Sequence, residues 1–145
     1  MTSKLAIKIM LWLITIITLF HLAILTKIIP YEITWGGRLE NDSEMYVFET
    51  ISIIFNIFLG LVLSIKDERL PALIPMKVIN IILWVFLILF GLNTIGNIFA
   101  KTLFEKILAI VTLSFSYLIF IIFRNAKNEN TTKNKRYSNR RLFKP

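Results

Sequence analysis

Hydrophobic residues dominate the first 123 positions of the chain and form four long runs, at 9–25, 45–65, 78–98 and 107–123. Only one charged residue, Glu49, lies inside them. A helix of ~20 residues crosses a bilayer core about 30 Å thick, and a soluble helix would carry a recurring polar face, which these runs lack. The pattern therefore predicts an all-α bundle of four transmembrane helices, at about 7–27, 45–65, 76–98 and 103–123.

The first run follows Lys4 and Lys8, which is also the pattern of a signal peptide. It is long for the apolar part of such a peptide, and no small-residue cleavage site follows it. We therefore expect it to remain in the protein as a membrane anchor.

Charge divides the chain into two parts. The formal charge is +8, from 17 basic and 9 acidic residues, and the segment 124–145 alone carries +7. We expect a single membrane domain, 1–123, with an outer loop at 28–44, and a basic tail, 124–145, with too few apolar residues to fold alone. The basic residues of the tail are Arg124, Lys127, Lys133, Lys135, Arg136, Arg140, Arg141 and Lys144.

The distribution of basic residues also predicts the topology. With four antiparallel, up-down spans, the N-terminus, the connection 66–77 and the tail share one side and hold 13 basic residues, against four on the other side. By the positive-inside rule both termini are cytoplasmic. The richness in Ile, Lys and Asn suits an AT-rich bacterial genome, so we expect the bacterial inner membrane.

The basic tail indicates an anionic partner. Lys and Arg attract nucleic-acid phosphates as well as lipid headgroups. The tail follows directly after a membrane span and contains only two aromatic residues, Tyr137 and Phe143. These features favour anionic lipids at the cytoplasmic face over nucleic acid.

Polar residues inside the runs fall on single helix faces. Glu49, Ser52, Asn56 and Gly60 are spaced by three or four residues, as are Glu105, Ala109, Thr112 and Ser116. Residues at these spacings share one side of a helix. In a membrane such stripes are typical of helix–helix contacts.

Several polar residues are predicted to lie at one depth. His21, Glu49 and Asn93 each fall roughly 6–8 Å inside the outer boundary at 1.5 Å per residue, and Asn97 lies near it. The loop segment from Trp35 to Arg38 covers this level. We expect His21, Glu49, Asn93, Asn97, Trp35 and Arg38 to form a ligand-binding pocket.

Glu49 requires a partner in this setting. A charged carboxylate in a membrane interior costs at least ~2.5–3.5 kcal/mol. His21 is the natural partner, and Arg38 is a second candidate. Alternatively, Glu49 is stabilised by the helix dipole in the first turn of its helix and by interfacial water, and His21 is a simple hydrogen-bonding residue between helices.

Missing residue types limit the chemistry. The chain has no cysteine and one histidine, which excludes a thiolate or multi-histidine metal site. Phosphate-binding loops and GxSxG elbows are absent from the sequence. The loop carboxylates Glu32, Glu40, Asp42 and Glu44 fit no EF-hand and indicate a solvated acidic loop. We expect no metal and no cofactor.

Three functions remain open. The leading hypothesis is a non-enzymatic membrane protein whose outer-leaflet pocket binds a small or lipid-like ligand or a membrane partner. The second is a small membrane enzyme that uses Glu49 and His21 as an acid–base pair. The third is a proton-coupled transporter or a channel subunit, which would need to act as a homo-oligomer.

Overall fold

The computed structural model describes residues 1–33, 35, 39–100 and 103–142, with residue 33 and those beyond 126 described by backbone alone. The described residues contain helices and no strand. The helices are α1 (Ser3–Leu25), α2 (Asp42–Lys66), α3 (Met76–Ile98) and α4 (Leu103–Leu142), with a short 3₁₀ turn at Tyr31–Ile33 between α1 and α2. Within this described part, four helices are long and apolar enough to cross a membrane, the fourth over Leu103–Ala126. This confirms the all-α fold with four candidate spans.

Side-chain caps begin the first two helices. The hydroxyl of Thr2 accepts a hydrogen bond from the Leu5 amide of α1, and Asn41 Oδ1 accepts one from the Glu44 amide of α2 at 2.9 Å. Such caps satisfy amides that have no partner within the helix. Pro75 precedes α3 with a φ of −58°, close to the helical value.

Both α1 and α2 end in the same backbone motif. After α1, the Ile28 amide donates to the Ala23 carbonyl; after α2, the Arg69 amide donates to the Ser64 carbonyl. This six-to-one bond defines a Schellman motif, which needs a left-handed residue just beyond the helix. Lys27 and Glu68 fill that position with φ of 58° and 60°. Neither has the freedom of the glycine usually found there.

The four helices pack in a ring, each against two neighbours: α1 on α2, α2 on α3, α3 on α4 and α4 on α1. Their main hydrophobic core lies toward the Lys66 end of α2. The core residues are Ala6, Ile7, Met10, Ile14, Leu59, Val62, Leu63, Ile79, Leu83, Phe86, Phe115, Leu118, Ile119, Ile121 and Ile122.

Most apolar side chains nevertheless point outward. Only 22–33% of the residues in each candidate span are buried, and Trp12 and Leu92 are 64% and 60% exposed. A helix that is apolar all round needs an apolar surrounding on its outer side as well as within the protein. The fold is therefore that of an integral membrane protein.

Polar stripes contribute contacts between α3 and α4. The hydroxyls of Thr94 and Thr112 lie 2.9 Å apart, and Ser116 Oγ donates to the Leu87 carbonyl at 3.3 Å. Both contacts use residues of the predicted α4 stripe, so its role in helix association is confirmed. Hydrogen bonds of this kind contribute about 0.6 kcal/mol each in membrane proteins.

Two further bonds tie the helices together at the core end. Lys66 Nζ donates to Asn80 Oδ1 at 2.8 Å and links α2 to α3. Asn125 Nδ2 donates to the Met1 carbonyl at 2.9 Å and links α4 to the start of α1. At the opposite end, a smaller cluster of Ile24, Leu39 and Met45 holds the α1–α2 connection against the bundle.

Candidate functional site

The site is built around a hydrogen-bonded contact between an imidazole of α1 and a carboxyl group of α2. His21 Nδ1 lies 2.6 Å from Glu49 Oε2. The Glu49 side chain is fully buried, and that of His21 is 18% exposed. His21 lies in the last turns of α1 and Glu49 near the start of α2, so the connection between the two helices brings them together. The predicted partnership of Glu49 with His21 is confirmed.

Trp35 supplies the second contact to the same carboxylate. Its Nε1–H donates to Glu49 Oε1 at 2.9 Å, and its ring packs on Phe48 with centroids 4.9 Å apart. Trp35 has a φ of 53°, a left-handed conformation that costs a bulky residue of order 1–3 kcal/mol. The surrounding contacts must hold the residue in this conformation. The loop tryptophan is therefore part of the site rather than only an interfacial residue.

The arrangement satisfies Glu49 with two donors, one to each oxygen. A buried carboxylate needs such bonds because an isolated charge is strongly disfavoured in a low-dielectric interior. When His21 donates from Nδ1, its Nε2 remains as the second hydrogen-bonding atom of the ring. Nε2 has no partner among the residues that the structure describes.

A cavity of about 870 Å³ opens beside this pair. Its polar lining includes His21, Trp35, Glu49, Asn93 and Asn97. Five of the six predicted site residues thus surround one cavity, and the sixth, Arg38, lies outside the described residues. The volume is within the range of roughly 300–1,000 Å³ that is typical of small-ligand sites.

Phenylalanine side chains form the apolar part of the cavity wall. Phe90 stacks on Phe115 with ring centroids 4.8 Å apart, and Phe86 lies 6.0 Å from Phe90 and 6.2 Å from Phe55. All four line the cavity. Aromatic pairs at these distances attract one another beyond simple burial. Sequence reasoning missed these residues because an interior phenylalanine and a lipid-facing one look alike in an apolar helix.

Four polar lining residues were left out of the predicted site: Ser52, Asn56, Glu105 and Thr112. Two of them, Glu105 and Asn56, have buried polar atoms or side chains. Glu105, at the start of α4, is 8% exposed and lines the cavity. Asn56, seven residues after Glu49 on α2, lines it too, and its Nδ2 is buried with no hydrogen-bond partner among the residues that the structure describes. Glu105 and Asn56 belong to the polar stripes of α4 and α2. Their helical spacing relative to the other stripe residues could therefore have identified them as site residues.

A surface ion pair lies beside the site, where α1 ends and α2 begins. Lys27, just beyond α1, contacts Asp42 at the start of α2. The hydrogen bond that the Lys27 ammonium donates to the Asp42 carboxylate raises the pKa of Lys27 above its ordinary value. This pair is exposed and screened by solvent, so it contributes little to the free energy of unfolding.

The structure bears on the metal and headgroup sites only through the side chains that it describes. These contain no group of three or more His, Asp or Glu that could hold a metal ion. Arg124 is exposed at the end of the fourth candidate span. The side chains of Lys127, Lys133, Lys135, Arg136, Arg140 and Arg141 lie outside the description. The backbone of α4 continues as helix through that segment to Leu142.

Comparisons with known proteins do not change this description. No family model matches the chain, and no curated protein or solved structure is significantly similar to it.

Proposed function

We propose that this protein is a non-enzymatic integral membrane protein that binds a small amphiphilic molecule in the cavity between its helices. One observation carries the proposal: a cavity of about 870 Å³ joins a polar end, at His21 and Glu49, to a wall of phenylalanines. Ligand sites are largely apolar with a few polar groups that fix orientation. The polar atoms of the ligand bind near Glu49 while its apolar part contacts Phe86 and Phe90.

The test uses two glycines of α3 as a matched pair. A Cβ at Gly96 or at Gly91 meets no atom within 4 Å, but only Gly96 lines the cavity. Gly96→Phe therefore fills the cavity, and Gly91→Phe adds the same side chain elsewhere. In native mass spectrometry of protein released from membranes, we expect wild type and Gly91→Phe to retain an amphiphile-sized mass. Gly96→Phe should lose it.

The opposite results contradict the proposal. If all three proteins carry the same bound mass, or none carries any, the cavity is not a ligand site. A mass that corresponds to a second copy of the chain or to another membrane protein, with no amphiphile, favours the partner-binding alternative instead.

We also propose that the four spans run up and down with both termini cytoplasmic, in the bacterial inner membrane, because the basic residues lie on one side. The chain has no cysteine, so single cysteines report topology directly. In intact cells, a membrane-impermeant maleimide should label Glu32→Cys and spare Glu68→Cys until the membrane is permeabilised. Labelling of Glu68→Cys alone in intact cells would show that the topology is the reverse, with both termini outside.

The basic tail is proposed to bind anionic lipids. Each Lys or Arg near an anionic membrane surface contributes about 1 kcal/mol. A peptide of residues 124–145 should bind phosphatidylglycerol vesicles, ignore phosphatidylcholine vesicles and lose its binding in high salt. Tighter binding to a DNA duplex than to phosphatidylglycerol at the same salt concentration would favour nucleic acid.

A further inference from the structure

In the half of the bundle that contains the site, α2 packs against α1, whereas α3 packs against α4. On α2, Met45 packs with Ile24 of α1, and Glu49 contacts His21 of α1. On α3, Thr94 bonds α4. Within the described residues, the contacts that join α2 to α3 begin at mid-helix, where Phe55 and Phe58 meet Phe86. They continue toward the other end, at the main core and at Lys66. A cleft is therefore left between α2 and α3 beside the cavity.

The edges of this cleft are apolar and exposed. Ile51 and Phe55 on α2, and Leu89 and Leu92 on α3, all line the cavity, yet they are 45%, 50%, 43% and 60% exposed. A side chain that lines a cavity and is also largely exposed marks an opening. At 1.5 Å per residue, Phe55 lies ~20 Å from the start of α2 and Leu89 ~14 Å from the end of α3. The opening is thus at the depth of the hydrocarbon core, where only lipid chains are available.

We propose that the cleft between α2 and α3 is a lateral entrance, through which the hydrocarbon chain of a membrane-dissolved amphiphile passes from the bilayer into the cavity. The inference rests on the proposed function and adds the route and the class of ligand. The apolar edges match a hydrocarbon chain, and Phe86 and Phe90 line the same cavity as these edges. A water-borne polar ligand would gain nothing from such an opening.

Asn56 adds a feature of the ligand's chemistry. Its buried Nδ2 has no partner among the described residues, and an unpaired buried donor is energetically costly. Asn56 lies seven residues, or ~10 Å along the helix axis, from Glu49. A ligand with a hydroxyl, ester or amide oxygen near the junction of its head and its chain would supply the missing acceptor.

The entrance can be tested on the wild-type chain by carbene labelling. The protein is reconstituted in phosphatidylcholine vesicles after detergent exchange that removes bound amphiphile. An apolar aryl diazirine, which dissolves in the hydrocarbon core, is photolysed, and labelled residues are located by mass spectrometry. A charged, water-soluble diazirine is used in parallel. Leu83 and Ile119 are the buried controls, since both are 0% exposed and neither lines the cavity.

With a lateral entrance, the apolar reagent should label the half-buried interior residue Phe90 as well as Leu89 at the edge, and Leu83 and Ile119 should stay unlabelled. The water-soluble reagent should label Phe90 little. The proposal is overturned if the apolar reagent labels Phe90 no more than Leu83, or if only the water-soluble reagent reaches it.

These results are separable from those that test the proposed function. If native mass spectrometry shows a retained amphiphile but only the water-soluble reagent reaches Phe90, the site stands and the entrance is wrong. If the apolar reagent reaches Phe90 and Gly96→Phe has no effect on bound mass, the cleft is open but the proposed function is wrong.

Discussion

His21 Nδ1 and Glu49 Oε2 are 2.6 Å apart although the residues are separated by 28 positions in the chain. The contact joins the end of α1 to the start of α2 and places a fully buried carboxylate beside the only histidine. Because both oxygens of Glu49 also need donors, the pair and Trp35 should behave as one energetic unit.

Removing His21 should therefore destabilise the fold more than a surface change does. His21→Ala leaves Glu49 Oε2 without a partner, and we expect a loss of about 3 kcal/mol. Glu49→Gln should cost less, about 1–2 kcal/mol, because an amide still accepts from Trp35 and donates to His21. Unfolding in a denaturing-detergent titration, followed by circular dichroism, measures each change.

A double-mutant cycle of His21→Ala and Glu49→Gln measures the coupling energy between the two residues. The control is Glu32→Gln, which changes an exposed carboxylate. Additive effects would refute the pair as a unit.

The indole nitrogen of Trp35 should matter separately from its ring. Trp35→Phe keeps an aromatic ring against Phe48 but removes the donor to Glu49, so we expect about 1–3 kcal/mol of destabilisation. Trp12→Phe, which alters an outward-facing tryptophan that is 64% exposed, should change nothing. The same detergent titration compares the two. Equal stability of both variants would show that the hydrogen bond to Glu49 contributes nothing.

Replacing Asn56 tests whether its buried Nδ2 contacts a bound ligand or is simply an unpaired donor. If its Nδ2 donates to a bound amphiphile, Asn56→Leu should reduce retention of that molecule about tenfold, the equivalent of one hydrogen bond of roughly 1.4 kcal/mol. If no acceptor exists, the variant should instead be more stable by about 1 kcal/mol with retention unchanged. We expect the first result. Ser52→Ala is the control, because Ser52 also lines the cavity but its hydroxyl already donates to the Phe48 carbonyl.

Glu68 should be a site of easy stabilisation. It occupies the left-handed position after α2 with φ of 60°, and its side chain is exposed. Glu68→Gly should increase the free energy of unfolding by up to about 1 kcal/mol, since glycine adopts this conformation without strain. Glu68→Ala keeps the Cβ and should give no comparable gain. A stabilising effect of alanine equal to that of glycine would show that side-chain charge, and not backbone conformation, is responsible.

The sequence predicted the helices and the His21–Glu49 contact because membrane spans depend mainly on length and apolarity. Glu49 was identifiable because a lone carboxylate in an apolar run must find a partner. Asn93 and Asn97 could be assigned to the same level by counting residues from the helix end, and they line the same cavity.

Other parts of the site could not be read from the chain. The bond from Trp35 to Glu49 depends on a left-handed loop residue, which no local pattern predicts for tryptophan. The phenylalanine wall depends on helix rotation, and α3 has apolar residues on every side. The cleft depends on how α2 and α3 divide their contacts between neighbours, which is a property of tertiary packing.

The size of the cavity also has a volumetric consequence. Pressure favours states in which internal voids have been removed, and the volume change of unfolding scales with void volume. A space of about 870 Å³ is large beside the small gaps of an ordinary close-packed interior. The pressure at which this protein unfolds should therefore depend on what fills that space. Hydrostatic compression then becomes a measure of cavity occupancy that requires no knowledge of the occupant.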